Sequence, residues 1–284
     1  MRLDGRRESD NVEDRRGKGS SGKISLGIGG TIIVGIIIWF MGGNPIDFVT
    51  QQAANGITNN QTYTPTAEEE AAALFAKKIL AGTEDVWTEI FKKSNMTYVP
   101  PKMVLFSQAT QSGCGSASSS TGPFYCPADQ TVYIDLSFFN QMKTQLNAGG
   151  DFAYAYVIAH EVGHHVQYLL GTLGKVQQQQ QRLSEKESNQ LNVRLELQAD
   201  FYAGIWAYYD KKNFDSIDDK DIDDGLNAAS QIGDDRLQMQ SQGYTVPDAF
   251  NHGTSAQRSR WLKKGLQTGN VSDGDTFSVP YTQL

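Results

Sequence analysis

The chain has 284 residues, 25 Lys and Arg against 32 Asp and Glu, a net charge of −7 and 39% hydrophobic residues. That length allows one sizeable domain with appendages, and that apolar content allows a buried core. The acidic balance implies no basic surface, which argues against a general nucleic-acid binder, so no nucleic acid is expected as a partner.

Residues 1–23 form a polar tail with no signal-peptide cleavage region. "ISLGIGGTIIVGIIIWFM" (24–41) then runs without a charge, long enough to cross a bilayer core. Trp39 and Phe40 close it, where aromatic rings favour the interface. A buried soluble helix is the alternative, but the stretch is apolar all round and holds four glycines, which such a helix seldom carries. A transmembrane helix over 24–42 is expected, with the lipid bilayer as its partner. Arg2, Arg6, Arg7, Arg15, Arg16, Lys18 and Lys23 precede it, and no Lys or Arg follows until Lys77. The positive-inside rule therefore places the tail in the cytoplasm. The rest of the chain would stand outside the cytoplasmic (inner) membrane, periplasmic or extracellular, after a single pass.

Residues 43–65 are a polar linker rich in Gly and Asn, and the folded domain spans 66–284. Thr66 with Glu69 spells a capping box that opens a helix through Ala81, followed by a second from Glu84 to Lys93. "MVLF" (103–106) and "TVYIDL" (131–136) read as strands, and Phe138–Leu146 as a short helix. Strand 131–136 is either a sheet edge to which a peptide adds through main-chain bonds or a plain core strand. Cys114 and Cys126 bracket a Gly/Ser-rich loop. An oxidising compartment favours a disulfide there, and no second Cys/His pair sits where a structural zinc site would need one.

Asp151 is expected to cap a long helix through Leu170, ended by Gly171 and Gly174. The run Gln177–Gln181 reads as a solvated helix face or loop rather than a flap over a site, and another long helix spans Glu185–Tyr209. "DSIDDKDIDDG" (215–225) fails as a calcium loop, because counting from Asp219 puts Asp224 and Ser230 where Gly and Glu are needed. It reads as an acidic helix N-terminus. Helices over Gly225–Gln240 and Ser255–Leu266 follow, the latter capped by Thr254 with Gln257.

His160, Glu161 and His164 spell H-E-x-x-H. Helical residues four apart lie one turn up and about 40° round, so both imidazoles can face one ion. Glu161 projects about 100° away, beside the ion, where it can take a proton from a metal-activated water and deliver it to a leaving amine. A catalytic zinc needs a third protein ligand and one open position. The metzincin continuation is absent, since no His follows His165 until His252. "ELQAD" on the next helix offers Glu196 as third ligand and, one turn on, Asp200 as hydrogen-bond acceptor for a ligand imidazole. His165 points about 140° from His160 and is expected to pack or support rather than ligate.

HEVGHH followed some thirty residues later by E-x-x-A-D resembles the gluzincin metallopeptidases, in which the later Glu ligates zinc. Within them the chain is similar to the neutral zinc metallopeptidases of bacteria (YpfJ-like). "MRLDGRRESDNVEDRRG", "CGSASSSTGPFYCPADQTVYIDLSFF", "HEVGHHVQ", "ELQADFYAGIWA" and "HGTSAQRSRW" carry that likeness over nearly the whole chain. The resemblance implies an α+β, mainly helical, zincin-like domain with a small sheet, preceded by the membrane helix. It implies one Zn2+ per chain and an endopeptidase acting on protein or peptide substrates. By the same likeness His252 and Arg258 of "HGTSAQR" face the cleft and stabilise the transition state, although Arg258 could equally pair with Asp200 or another acid. A catalytically silent zinc-binding scaffold and a metal-dependent amidase acting on cell-wall peptide are the competing readings. The presence of Glu161 speaks against the first.

Overall fold

In the computed structural model, which describes residues 1–17 and 63–284, the Thr66–Glu69 capping box forms and opens α1 (Ala67–Lys93). The expected break near Gly82 does not occur, because Ile79, Leu80, Val86 and Trp87 on either side of it are drawn into one core. The sheet has strand order β1 (Val12–Asp14), β2 (Lys102–Phe106), β6 (Thr131–Asp135), β5 (Phe124–Cys126). β1 and β6 flank β2 in parallel, and β5 runs antiparallel to β6. β3 (Ala109–Ser112) and β4 (Gly115–Ser118) form a separate hairpin. All five β6 residues are buried and the strand is paired on both sides, so 131–136 is a core strand and not an edge. β5 is the outer strand on that side, and the disulfide Cys114–Cys126 ties it to the hairpin.

After α2 (Ser137–Thr144), the motif helix α3 (Asp151–Leu169) packs on β5 and β6, on α1, and on the long helix α5 (Glu185–Phe214). Its near-continuous apolar composition follows from that burial on several sides. Gly150, with φ 128°, occupies the cap position expected of Asp151, which sits instead in the first turn. Gly171, in the left-handed region, ends the stretch, whereas Gly174 lies inside α4 (Thr172–Gln180), whose glutamines are mostly exposed. The acidic segment is capped by Asp218 and starts α6 (Asp219–Gln231). The helix expected over 225–240 is broken at Gly233, which separates α6 from α7 (Asp234–Gln242). α8 (Ser255–Thr268) opens at the Thr254–Gln257 capping box and lies against α5. A Cβ on Gly204 of α5 or Gly265 of α8 would collide with the facing backbone, so these two glycines let the helices touch.

The architecture is α+β and mainly helical. The apolar stretch 24–41, with the membrane helix expected over 24–42, lies outside the described residues. Among the described residues no helix is long and apolar enough to cross a membrane. The tail, expected to stand apart from the domain, contributes β1 to its sheet.

Candidate metal centre

Two helices build the centre. α3 carries His160 and His164 one turn apart, and α5 lays Glu196 opposite them. Gly163 makes the approach possible, since a Cβ there would stand 3.0 Å from the Ala199 carbonyl oxygen and 3.1 Å from its Cα. Nε2 of His160 lies 3.2 Å from one Glu196 oxygen, and Nε2 of His164 lies 3.5 Å from the other. The three residues offer ligand atoms that all fall within 4.8 Å of one another. Tetrahedral ligands at zinc bond lengths sit about 3.3 Å apart, so both separations match the edges of such a site. Two imidazole nitrogens and a carboxylate are also a donor set that zinc takes. The residues fit the ion that the sequence implied.

Each imidazole is oriented from behind. Nδ1–H of His160 donates to Asp200 Oδ1 at 2.7 Å, as expected of Asp200. Nδ1–H of His164 donates to Gln167 Oε1 at 2.9 Å, and Gln167 is held in turn by the Leu195 carbonyl and Gln198. Both bonds leave Nε2 facing the metal position. Burial opposes charge on His160, but the Asp200 and Glu196 carboxylates outweigh it and hold the ring's pKa up to about 10. Burial likewise opposes ionisation of Asp200, yet Arg258 and His160 bring its pKa down to about 2. Glu196 is held well below the usual carboxylate range, against its burial, by the two imidazoles.

Of the two places open to Arg258, it takes the pairing with Asp200. Its Nε and Nη2 donate to the two Asp200 oxygens at 2.9 and 3.0 Å, Nη2 also reaches Tyr156 Oη, and Nη1 reaches the Ile232 carbonyl. Every nitrogen of this buried guanidinium is engaged within the protein, so it fixes Asp200 rather than facing a substrate. Tyr156 Oη donates to the same Asp200 oxygen at 2.6 Å. His252, 30% exposed, stays near the centre, and its Nδ1 pairs with Asp234 Oδ1 at 3.2 Å. Burial opposes charge on His252, while Asp234 and Glu196 raise its pKa. Asp234 also accepts the backbone N–H groups of Asn251, His252 and Gly253, which pins the loop. His165 is fully buried between Tyr125 Oη and the Val99 carbonyl and joins α3 to the sheet edge.

Glu161 is 8% exposed and has no hydrogen-bond partner among the described residues, so the H-E-x-x-H carboxylate stands idle beside the ligand set. Sequence reasoning missed Tyr156, Gln167 and Asp234. Spacing could have found the first two, one turn before His160 and three residues after His164. Asp234 carries no such signal, because it arrives from a different element.

A family model described as "Putative neutral zinc metallopeptidase" matches residues 1–277. The "Uncharacterized protein YpfJ" of Escherichia coli (strain K12) is 48% identical over 285 residues, covering 98% of this chain and 99% of the relative. The "Uncharacterized protein Rv2575" of Mycobacterium tuberculosis (strain H37Rv) is 48% identical over 192 residues, 64% of each chain. No solved structure matches.

Proposed function

Because the chain belongs to the neutral zinc metallopeptidase family, we propose that it is a membrane-tethered, zinc-dependent endopeptidase cleaving protein or peptide substrates. The observation that carries this reading is Glu161, a mostly buried carboxylate without a partner beside a His–His–Glu set. A carboxylate left without a hydrogen bond beside such a set is placed to act as a base.

One zinc ion held by His160, His164 and Glu196 would supply Lewis acidity, activating a water and polarising the scissile carbonyl. Glu161 accepts the proton of the attacking water and returns it to the departing amine, so the C–N bond breaks without expelling an amide anion. His252, aimed by Asp234 through Nδ1, donates a hydrogen bond to the developing oxyanion. Asp200, clamped by Arg258 and Tyr156, holds His160 in the tautomer that leaves Nε2 for the ion. β5, at the sheet edge and packed on α3, is the strand along which an extended peptide would add through main-chain bonds. The apolar stretch 24–41 supports the tether to the cytoplasmic membrane. The disulfide Cys114–Cys126 supports a domain outside it, in an oxidising compartment.

The purified full chain is expected to hold one zinc per chain by metal analysis and to cleave unfolded casein. A chelator should abolish that activity and added zinc should restore it. A zinc-free protein, or cleavage indifferent to the chelator, would refute the proposal.

A further inference from the structure

The arginines that the positive-inside rule counts as cytoplasmic are all engaged by the peptidase domain. Arg2 pairs with Asp215, and Arg6 with buried Asp210 at 2.8 Å. Arg7 reaches Glu84, Asp85 and the Ala81 carbonyl. Arg15 reaches the Gln111 carbonyl, and Arg16 reaches the Glu69 carbonyl and the Glu70 carboxylate. Ser9 Oγ and Asn11 Nδ2 both donate to Glu84 at 2.6 and 2.8 Å, so among the described residues the side-chain partners of this buried acid come from the tail. The domain is shaped to match: a Cβ on Gly82 would stand 3.0 Å from Arg6 Nη2 and 3.1 Å from Asp210 Oδ1.

The backbone is built in as well. β1 pairs with β2 from Val12↔Met103 to Asp14↔Leu105, and the Met103 and Arg15 amides close the ladder at 2.8 Å each. The tail therefore completes an edge that β2 would otherwise expose. Its exit and the chain's return meet at one corner of the domain. Arg16 is bonded to the first turn of α1, and a Cβ on Gly17 would collide with the Tyr63 ring.

We infer that residues 1–17 and the peptidase domain lie on the same side of the membrane. A single crossing would put about 30 Å of hydrocarbon between partners that here share a strand ladder and several ion pairs. Residues 42–62 hold no second apolar run that could cross back. Arg2, Arg6, Arg7 and Arg16 are answered by acids of the folded domain, and Arg15 by Glu13 within the tail, so the tail does not act as a free cytoplasmic anchor. This replaces the expected single-pass arrangement with a cytoplasmic tail, and it does not depend on the catalytic reading.

The test uses the full chain in cells, with Asp10→Cys and Lys263→Cys introduced separately at exposed positions of the tail and the domain. A membrane-impermeant maleimide is applied to intact and then to permeabilised cells. Both positions are expected to behave alike in intact cells, either both labelled or both protected until permeabilisation. Labelling of one in intact cells, with the other reached only after permeabilisation, would overturn the inference.

Discussion

Nε2 of His160 and Nε2 of His164 face Glu196 because Asp200 and Gln167 hold the opposite nitrogen of each ring. Without the ion, His160 carries a proton that Asp200 and Glu196 stabilise, with its pKa at about 10. Zinc must displace that proton, so its apparent affinity rises as the pH approaches that value. The expected slope is at least about tenfold per pH unit between about pH 6 and about pH 9, because His164, held above its ordinary pKa by Glu196 against its burial, also gives up a proton. Titration of the metal-free protein against a zinc indicator measures it, and a flat profile would contradict the assignment. Residue by residue, the His160–His164–Glu196 cluster was legible and its polar support was only partly so. His160 and His164 follow from helical period, and Glu196 with Asp200 from the same period on the next helix. The six-residue spacing from His252 to Arg258 shows nothing of depth. Arg258 is buried against Asp200, the pairing that the sequence also allowed, while His252 stays partly exposed beside Asp234.

The geometry of the centre depends on how closely α3 and α5 approach, and Gly163 sets that distance. A branched side chain there would press on the Ala199 backbone, which has no rotamer with which to yield. Gly163→Val is expected to cost about 1–3 kcal/mol, as overpacking does, and to lower Tm by several degrees. Because Glu196 lies one turn before Ala199, the variant should also bind zinc more weakly than it loses stability. Thermal unfolding and zinc titration on one preparation check both, and a native Tm with native affinity would contradict the close-packing argument. Elements with their own local signals were legible: the capping boxes at Thr66 and Thr254, and the buried run of α3. Two elements set by their neighbours were not. α1 continues through Gly82 because its flanks pack into one core, and β1 is three residues of an Arg/Asp-rich tail with no hydrophobic alternation. Pairing with β2 makes β1 a strand.

Across the whole molecule, the tail closes one edge of the sheet and the disulfide-braced β5 forms the other. Deleting residues 1–17 would leave Glu84 without its side-chain partners and β2 with an unpaired edge. Such a protein is expected to show a lower Tm and a tendency to self-associate through β2. Differential scanning calorimetry with light scattering measures the two together, and an unchanged Tm would mean the tail contributes nothing to the fold. Composition and hydropathy alone could not reveal this arrangement, since both describe the tail as a soluble, charged leader. Its partners lie up to some two hundred residues away in the sequence.

The central claim is that Glu161 moves the proton for a metal site assembled by other residues. Glu161→Gln keeps the side chain's shape, removes its basicity and leaves His160, His164 and Glu196 in place. The decisive measurement is casein cleavage by this variant and the native chain, each assayed with its zinc content determined. The expected result is one zinc per chain in both, with activity of the variant lower by about 10²–10⁴-fold, as loss of a general base gives. Equal activity in the two zinc-loaded proteins would contradict the account.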